Sequence, residues 1–92
     1  MGLPQLRKSY DDLLWEKKYP AIEFLKKLTK EDAEEIRKAI KADPKSWFAG
    51  YHFNWGMWVR NQLRSAGYGE NYFGIQNLDD IYCELVEDAV AV

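Results

Sequence analysis

From Leu78 to Val90 the residues Leu78, Ile81, Tyr82, Leu85, Val86, Ala89 and Val90 recur at i, i+3, i+4 and i+7 without a miss. A half-buried strand requires strict alternation, and no segment of the chain shows it, so the governing periodicity is that of an amphipathic α-helix. A helix with so continuous an apolar stripe has to be covered by other elements. At 92 residues the chain has the length for one core and none for a second domain. The expectation is an all-α fold: one compact helical domain over 1–92, with four to five helices around a central aromatic-rich helix.

The other helices are marked by caps and prolines. A first helix over 6–18 places Leu6, Tyr10, Leu13 and Leu14 at helical spacing and ends on Lys17-Lys18, where cations suit a helix C-terminus. Tyr19-Pro20 breaks it and starts a short helix over 20–28, because the residue before a proline is pushed out of the α region while proline suits a first helical position. Thr29 is placed to cap a third helix that starts near Lys30 and runs through Ile36 and Ile40 to Asp43-Pro44. The charged face of that helix reads as a solvated surface. The central helix is expected over 44–66, stopping at Gly67, with a glycine-rich loop over 67–76 and Asn77 capping the last helix. No repeat, low-complexity tract or linker is visible.

The stretch Trp47 to Asn61 holds the chain's single histidine, with His52, Gly56 and Arg60 spaced four apart among large aromatic side chains. Drawn as one helix at about 100° per residue, it puts Phe48, Ala49, His52, Trp55, Gly56, Val59 and Leu63 on one arc, the core face. His52 then has two readings: a core residue with a hydrogen-bond partner, or the base or ligand of a site. Its neutral form is favoured by burial. Gly56 costs about 1 kcal/mol against alanine inside a helix, which close approach of another helix offsets. Arg60, one turn on, can reach Asp79 or Asp80 at the start of the last helix, as a structural ion pair or as a ligand anchor. His52, Arg60, Asn61, Asp79 and Asp80 are therefore the candidate polar cluster. A second stripe, with Trp47, Tyr51 and Trp58 bordered by Asn54, is either covered by further helices or a binding face of hot-spot composition. Together with Tyr68 and Tyr72 of the loop it forms the candidate interface.

The strings "YHFNWGMWVRN" and "NLDDIY" resemble a family of small bacterial domains of unknown function. Its members start a helix at a proline, continue with a Leu-(Ser/Thr)-x-Glu-acid turn, carry His-Phe-x-x-Gly-Met-x-x-Arg-Asn and end with an aspartate pair that opens a helix. The matching residues are Pro20, Leu28 to Asp32, His52, Phe53, Gly56, Met57, Arg60, Asn61, Asp79 and Asp80, so the likeness covers about 19–90. Gln62 to Ser65 and Asn77-Leu78 depart from the family pattern. The resemblance implies a fold and a set of marked residues, and no activity.

Chemistry is narrowed mainly by what is missing. No serine, cysteine or second histidine stands at a spacing that would make His52 part of a catalytic set, so no catalytic residue is assigned and the chain is not expected to be an enzyme. One His and one Cys far apart give no metal site, and no cofactor is expected. A net charge of −2 argues against nucleic acid as the default partner, and the aromatic central helix against a recognition helix. The lone Cys83 excludes an intramolecular disulfide and suits a reducing cytoplasm. No apolar run resembles a signal peptide or spans a bilayer, so a cytoplasmic protein without membrane contact is expected. Charge is uneven: 1–46 holds eleven Lys/Arg against nine Asp/Glu, whereas from Glu70 onward there are six acids and no base. A protein-interaction module is expected, a class that includes host- or phage-type inhibitors, binding a basic partner through the aromatic stripe and the acidic last helix. Self-association through the same stripe is the first alternative, ahead of a small enzyme or ligand-binding domain using His52, Arg60 and Asp80 and of a DNA-binding regulator.

Overall fold

The computed structural model describes residues 10–50 and 52–91, and every regular element among them is helical. After a 3₁₀ turn at Tyr10–Asp12 come α1 (Trp15–Leu28) and α2 (Ala33–Ala42), then a 3₁₀ turn at Trp47–Gly50 and a π-helix at His52–Gly56. The latter continues directly into α3 (Met57–Ser65), which is followed by α4 (Glu70–Phe73), a 3₁₀ turn at Leu78–Asp80 and α5 (Tyr82–Val90). The all-α reading holds. Among the described residues no helix is long and apolar enough to cross a membrane.

The periodicity at the end of the chain translates directly into burial. All seven of its apolar positions, from Leu78 to Val90, are core residues. Both α1 and α2 pack on α5, α1 through Ala21, Ile22 and Leu25 and α2 through Ile36, all of them buried. Polar ties fix the assembly at its margins. The Tyr10 hydroxyl donates to the Asp88 carboxylate, and Lys18 lies over the Tyr10 ring at 4.3 Å from its centroid. At the other end Arg37 Nη1 donates to the Val90 carbonyl at 3.0 Å, a cation at a helix C-terminus.

Three sequence expectations are corrected. First, the helices expected over 6–18 and 20–28 are not separated at Tyr19-Pro20: α1 runs through Pro20. The proline sits in its second turn, where the ladder bond it forfeits is the one to the Glu16 carbonyl near the helix start. Burial of Ala21, Ile22 and Leu25 just beyond outweighs that loss, as tertiary packing commonly does. Leu14 becomes the extended N-cap and is exposed, not inward; Leu6 lies outside the described residues.

Second, Thr29 does not cap the next helix. Its buried hydroxyl donates to the Leu25 carbonyl at 2.7 Å, which closes α1, and α2 starts only at Ala33.

Third, the expected helix over 44–66 is a 3₁₀ turn, a π-helix and an α-helix in succession. A 3₁₀ segment winds at three residues per turn and a π segment bonds i to i+5, so a uniform wheel misplaces residues before Met57. Ala49 accordingly faces solvent, while Val59, Leu63 and Gly56 are buried as drawn. Gly67 ends α3 as expected, with φ +91°, the Tyr68 amide bonding Leu63 O at 2.8 Å and the Gly67 amide bonding Arg64 O at 3.1 Å, a Schellman closure. The loop expected over 67–76 contains α4, closed by Gly74 at φ 67°.

Candidate functional site

Arg60 occupies the buried side of α3, with its side chain 8% exposed. Its Nε stands 2.7 Å from Asp79 Oδ1, and its guanidinium carbon lies 4.8 Å from the centroid of the Tyr82 ring. Asp79 is placed by the turn it belongs to. The Asn77 side chain accepts from the Asp79 amide at 3.0 Å, which shapes the 3₁₀ turn and aims the carboxylate at α3. The sequence thus named both partners of this ion pair; Asn77, expected to cap the last helix, caps the 3₁₀ turn instead, and α5 follows with Ile81 at its N-cap. Sequence reasoning missed Tyr82, which it treated as core only. The available signal was the i, i+3 relation of Asp79 and Tyr82, which brings a carboxylate and an aromatic face to the same side of a helical turn.

The other described members of the polar cluster are on the surface. Asp80 is exposed. Asn61 is also exposed, and its Oδ1 accepts from Arg64 Nη1 at 3.0 Å. The side chains of His52 and Phe53, and Tyr51 as a whole, lie outside the described residues, so the expected inward turn of the imidazole and the place of Tyr51 in the second stripe do too.

Burial holds the Cys83 thiol up at about 11, with the neighbouring Glu87 and Glu84 charges adding and the Tyr82 hydrogen bond and Arg60 opposing. It is a protonated, poorly nucleophilic thiol at neutral pH. Tyr82 is raised as well, again first by burial and then by its bond to Cys83. Among the described residues no group of three His, Cys, Asp or Glu side chains could hold a metal ion.

The aromatic residues divide. Trp47 was placed in the candidate interface, but it is 4% exposed; its indole Nε1 donates to Glu87 Oε2 at 2.8 Å and its ring stands edge-on to Phe48. A buried indole settles where its N–H finds a partner, and Glu87 on α5 supplies it. Tyr68 and Tyr72 are half-buried and pack edge-to-face at 5.1 Å. Tyr68 rests on Phe24, whereas Tyr72 donates to the Lys17 carbonyl at 3.0 Å and lies under the Lys17 ammonium. Both work as mortar between α1 and α4. Asn54 and Trp58 remain on the surface, with Met57 beside them, Met57 being 46% and Trp58 41% exposed.

No family model, curated protein or solved structure matches this chain. Its function has to be read from its own surface. A second exposed group, which sequence reasoning missed, is formed by Leu14, Trp15 and Tyr19, the two rings 5.8 Å apart. Had α1 been drawn through Pro20, the i, i+4 spacing of Trp15 and Tyr19 would have shown it.

Beyond α3, Glu70 gathers three donors. Its carboxylate accepts from Arg64 Nη2 at 2.8 Å and Nε at 3.1 Å and from the Leu78 amide at 3.1 Å, joining α3, α4 and the start of the 3₁₀ turn. The Arg64 bond, helped by backbone amides and opposed by partial burial, holds its pKa down to about 2. The folded value lies below the unfolded one of 4.5. The stabilisation is therefore complete above the unfolded pKa and is lost as pH falls through the folded one. Glu70→Gln is expected to cost about 0.5–1 kcal/mol at neutral pH, the scale of a solvent-screened pair. The variant should also lose less stability than the parent between neutral pH and about pH 3. Urea denaturation at the two pH values measures both, and equal losses in parent and variant would refute the assignment.

Proposed function

We propose that the protein is a small interaction module without catalytic activity, presenting an aromatic face on α3 and an acidic face on α5 to another protein. The observation that carries this reading is the exposure of Met57 and Trp58 side by side, with Asn54 and Asn61 one turn to either side. Tryptophan flanked by neutral amides is the composition of binding hot spots, and a ring left in water gains most when a partner covers it. The acidic face, with Asp80, Glu84, Glu87 and Asp88, supplies the attraction that steers a basic partner.

Membership of the small bacterial domain family, of unknown function, belongs to the same proposal. Its marked glycine and arginine have structural work here, since Gly56 is buried and Arg60 is held by Asp79. A cytoplasmic setting is proposed with it, and the free Cys83 supports that.

Trp58→Ala tests the reading. Removing a half-exposed side chain should change stability by less than about 1 kcal/mol. Affinity for a partner identified in the protein's own cells and repurified should fall by about 2 kcal/mol or more, some thirtyfold. Unchanged affinity would overturn the role of the face. Sedimentation at several concentrations distinguishes a foreign partner from self-association, which predicts a dimer that Trp58→Ala dissolves.

A further inference from the structure

A groove of about 310 Å³ separates the 44–48 segment from the first half of α5. Phe48, Tyr82 and Cys83 line it together with the acids Asp79, Asp80 and Glu84. We propose that this groove docks an arginine side chain carried on a short extended segment of the partner protein. The proposal rests on the interaction-module reading and names what the acidic face binds.

Three observations carry it. The first is shape: the volume sits at the lower end of the range for ligand pockets, suited to a side chain rather than a whole cofactor. From Asp80 at the end of the 3₁₀ turn to Glu87 on α5 the acidic positions span about 10 Å, the length of about three extended residues. The second is charge complementarity beside aromatic lining residues. A guanidinium lies flat on a ring and offers a planar fork to carboxylates, which a lysine ammonium cannot do.

The third is that the wall of the groove already holds one guanidinium. Asp79 and Tyr82, both lining residues, bind Arg60 by an ion pair and by ring contact. A second guanidinium would meet the same kinds of group, with Glu84 in place of Asp79 and Phe48 in place of Tyr82. Glu84 has reason to welcome a cation. Partial burial raises its pKa, and the Glu87, Asp11 and Asp88 charges raise it further, with Lys18 opposing. Lys45, exposed, lines the groove as well, and its charge opposes that of an incoming guanidinium.

The test is an amide-shift NMR titration of the whole chain at low salt with an end-blocked Gly-Arg-Arg-Gly peptide and its Gly-Lys-Lys-Gly counterpart. The arginine peptide should give saturable shifts confined to Phe48, Asp79, Asp80, Cys83 and Glu84, with affinity at least about threefold above the lysine peptide. Asp80→Asn combined with Glu84→Gln should weaken it about tenfold, and Lys45→Ala should strengthen it. Both acids are on the surface or half-buried, and matching thermal melts verify that the double variant folds. Trp58→Ala should leave peptide binding unchanged, so the groove and the α3 face are judged separately. Equal binding of the two peptides, shifts that persist in the double variant, or no saturation would each overturn the proposal.

Discussion

Leu85→Ala is expected to lower the stability of the protein by about 3 kcal/mol, the middle of the range for a fully buried leucine. Leu85 has no measurable exposure, and it lies on the helix that receives both α1 and α2. The cavity left behind would be shared by elements that cannot all move in to fill it. For a domain of this size the loss corresponds to about 12–24 °C in Tm, out of a total stability of order 5–15 kcal/mol. Thermal and urea unfolding followed by circular dichroism would measure it. A change below about 1 kcal/mol would mean that α5 is not the covered element described here.

The second large effect belongs to the ion pair. Asp79→Ala leaves the Arg60 guanidinium inside the protein with a principal counter-charge removed. Breaking a fully buried pair costs about 3–5 kcal/mol; Asp79 is 39% exposed, so water recovers part of this and about 2 kcal/mol is expected. Replacing both partners, as Arg60→Met with Asp79→Ala, should cost less than the sum of the two single changes, because the stranded charge is gone. A double-mutant cycle measures the coupling, expected at about 1–2 kcal/mol. Additive losses would show that the two side chains do not depend on one another.

The candidate site was legible where it depended on local spacing. Arg60 was drawn at the edge of the core face within reach of Asp79, and Asn77 was drawn as a cap; the α3 register after Gly56 and the asparagine turn are short-range features that the sequence carries by itself. Trp47 was misplaced because its position depends on winding that changes twice between Trp47 and Met57, and on a carboxylate forty residues away on α5. The exposed Trp15–Tyr19 pair was hidden by Pro20, whose local preference for ending a helix was overridden by burial of the residues after it.

By itself the sequence determined the class of fold, the buried stripe from Leu78 to Val90, the Gly67 stop and the acidic surface of the last helix. Each follows from periodicity, a backbone angle open to glycine, or a count of charges, none of which needs a distant residue. Only the tertiary structure decided which aromatic rings meet water, that Tyr82 shares Arg60 with Asp79, and that a groove opens beside α5. These depend on where one helix lies against another, and contact between elements far apart in the chain is set by the packing of the whole core.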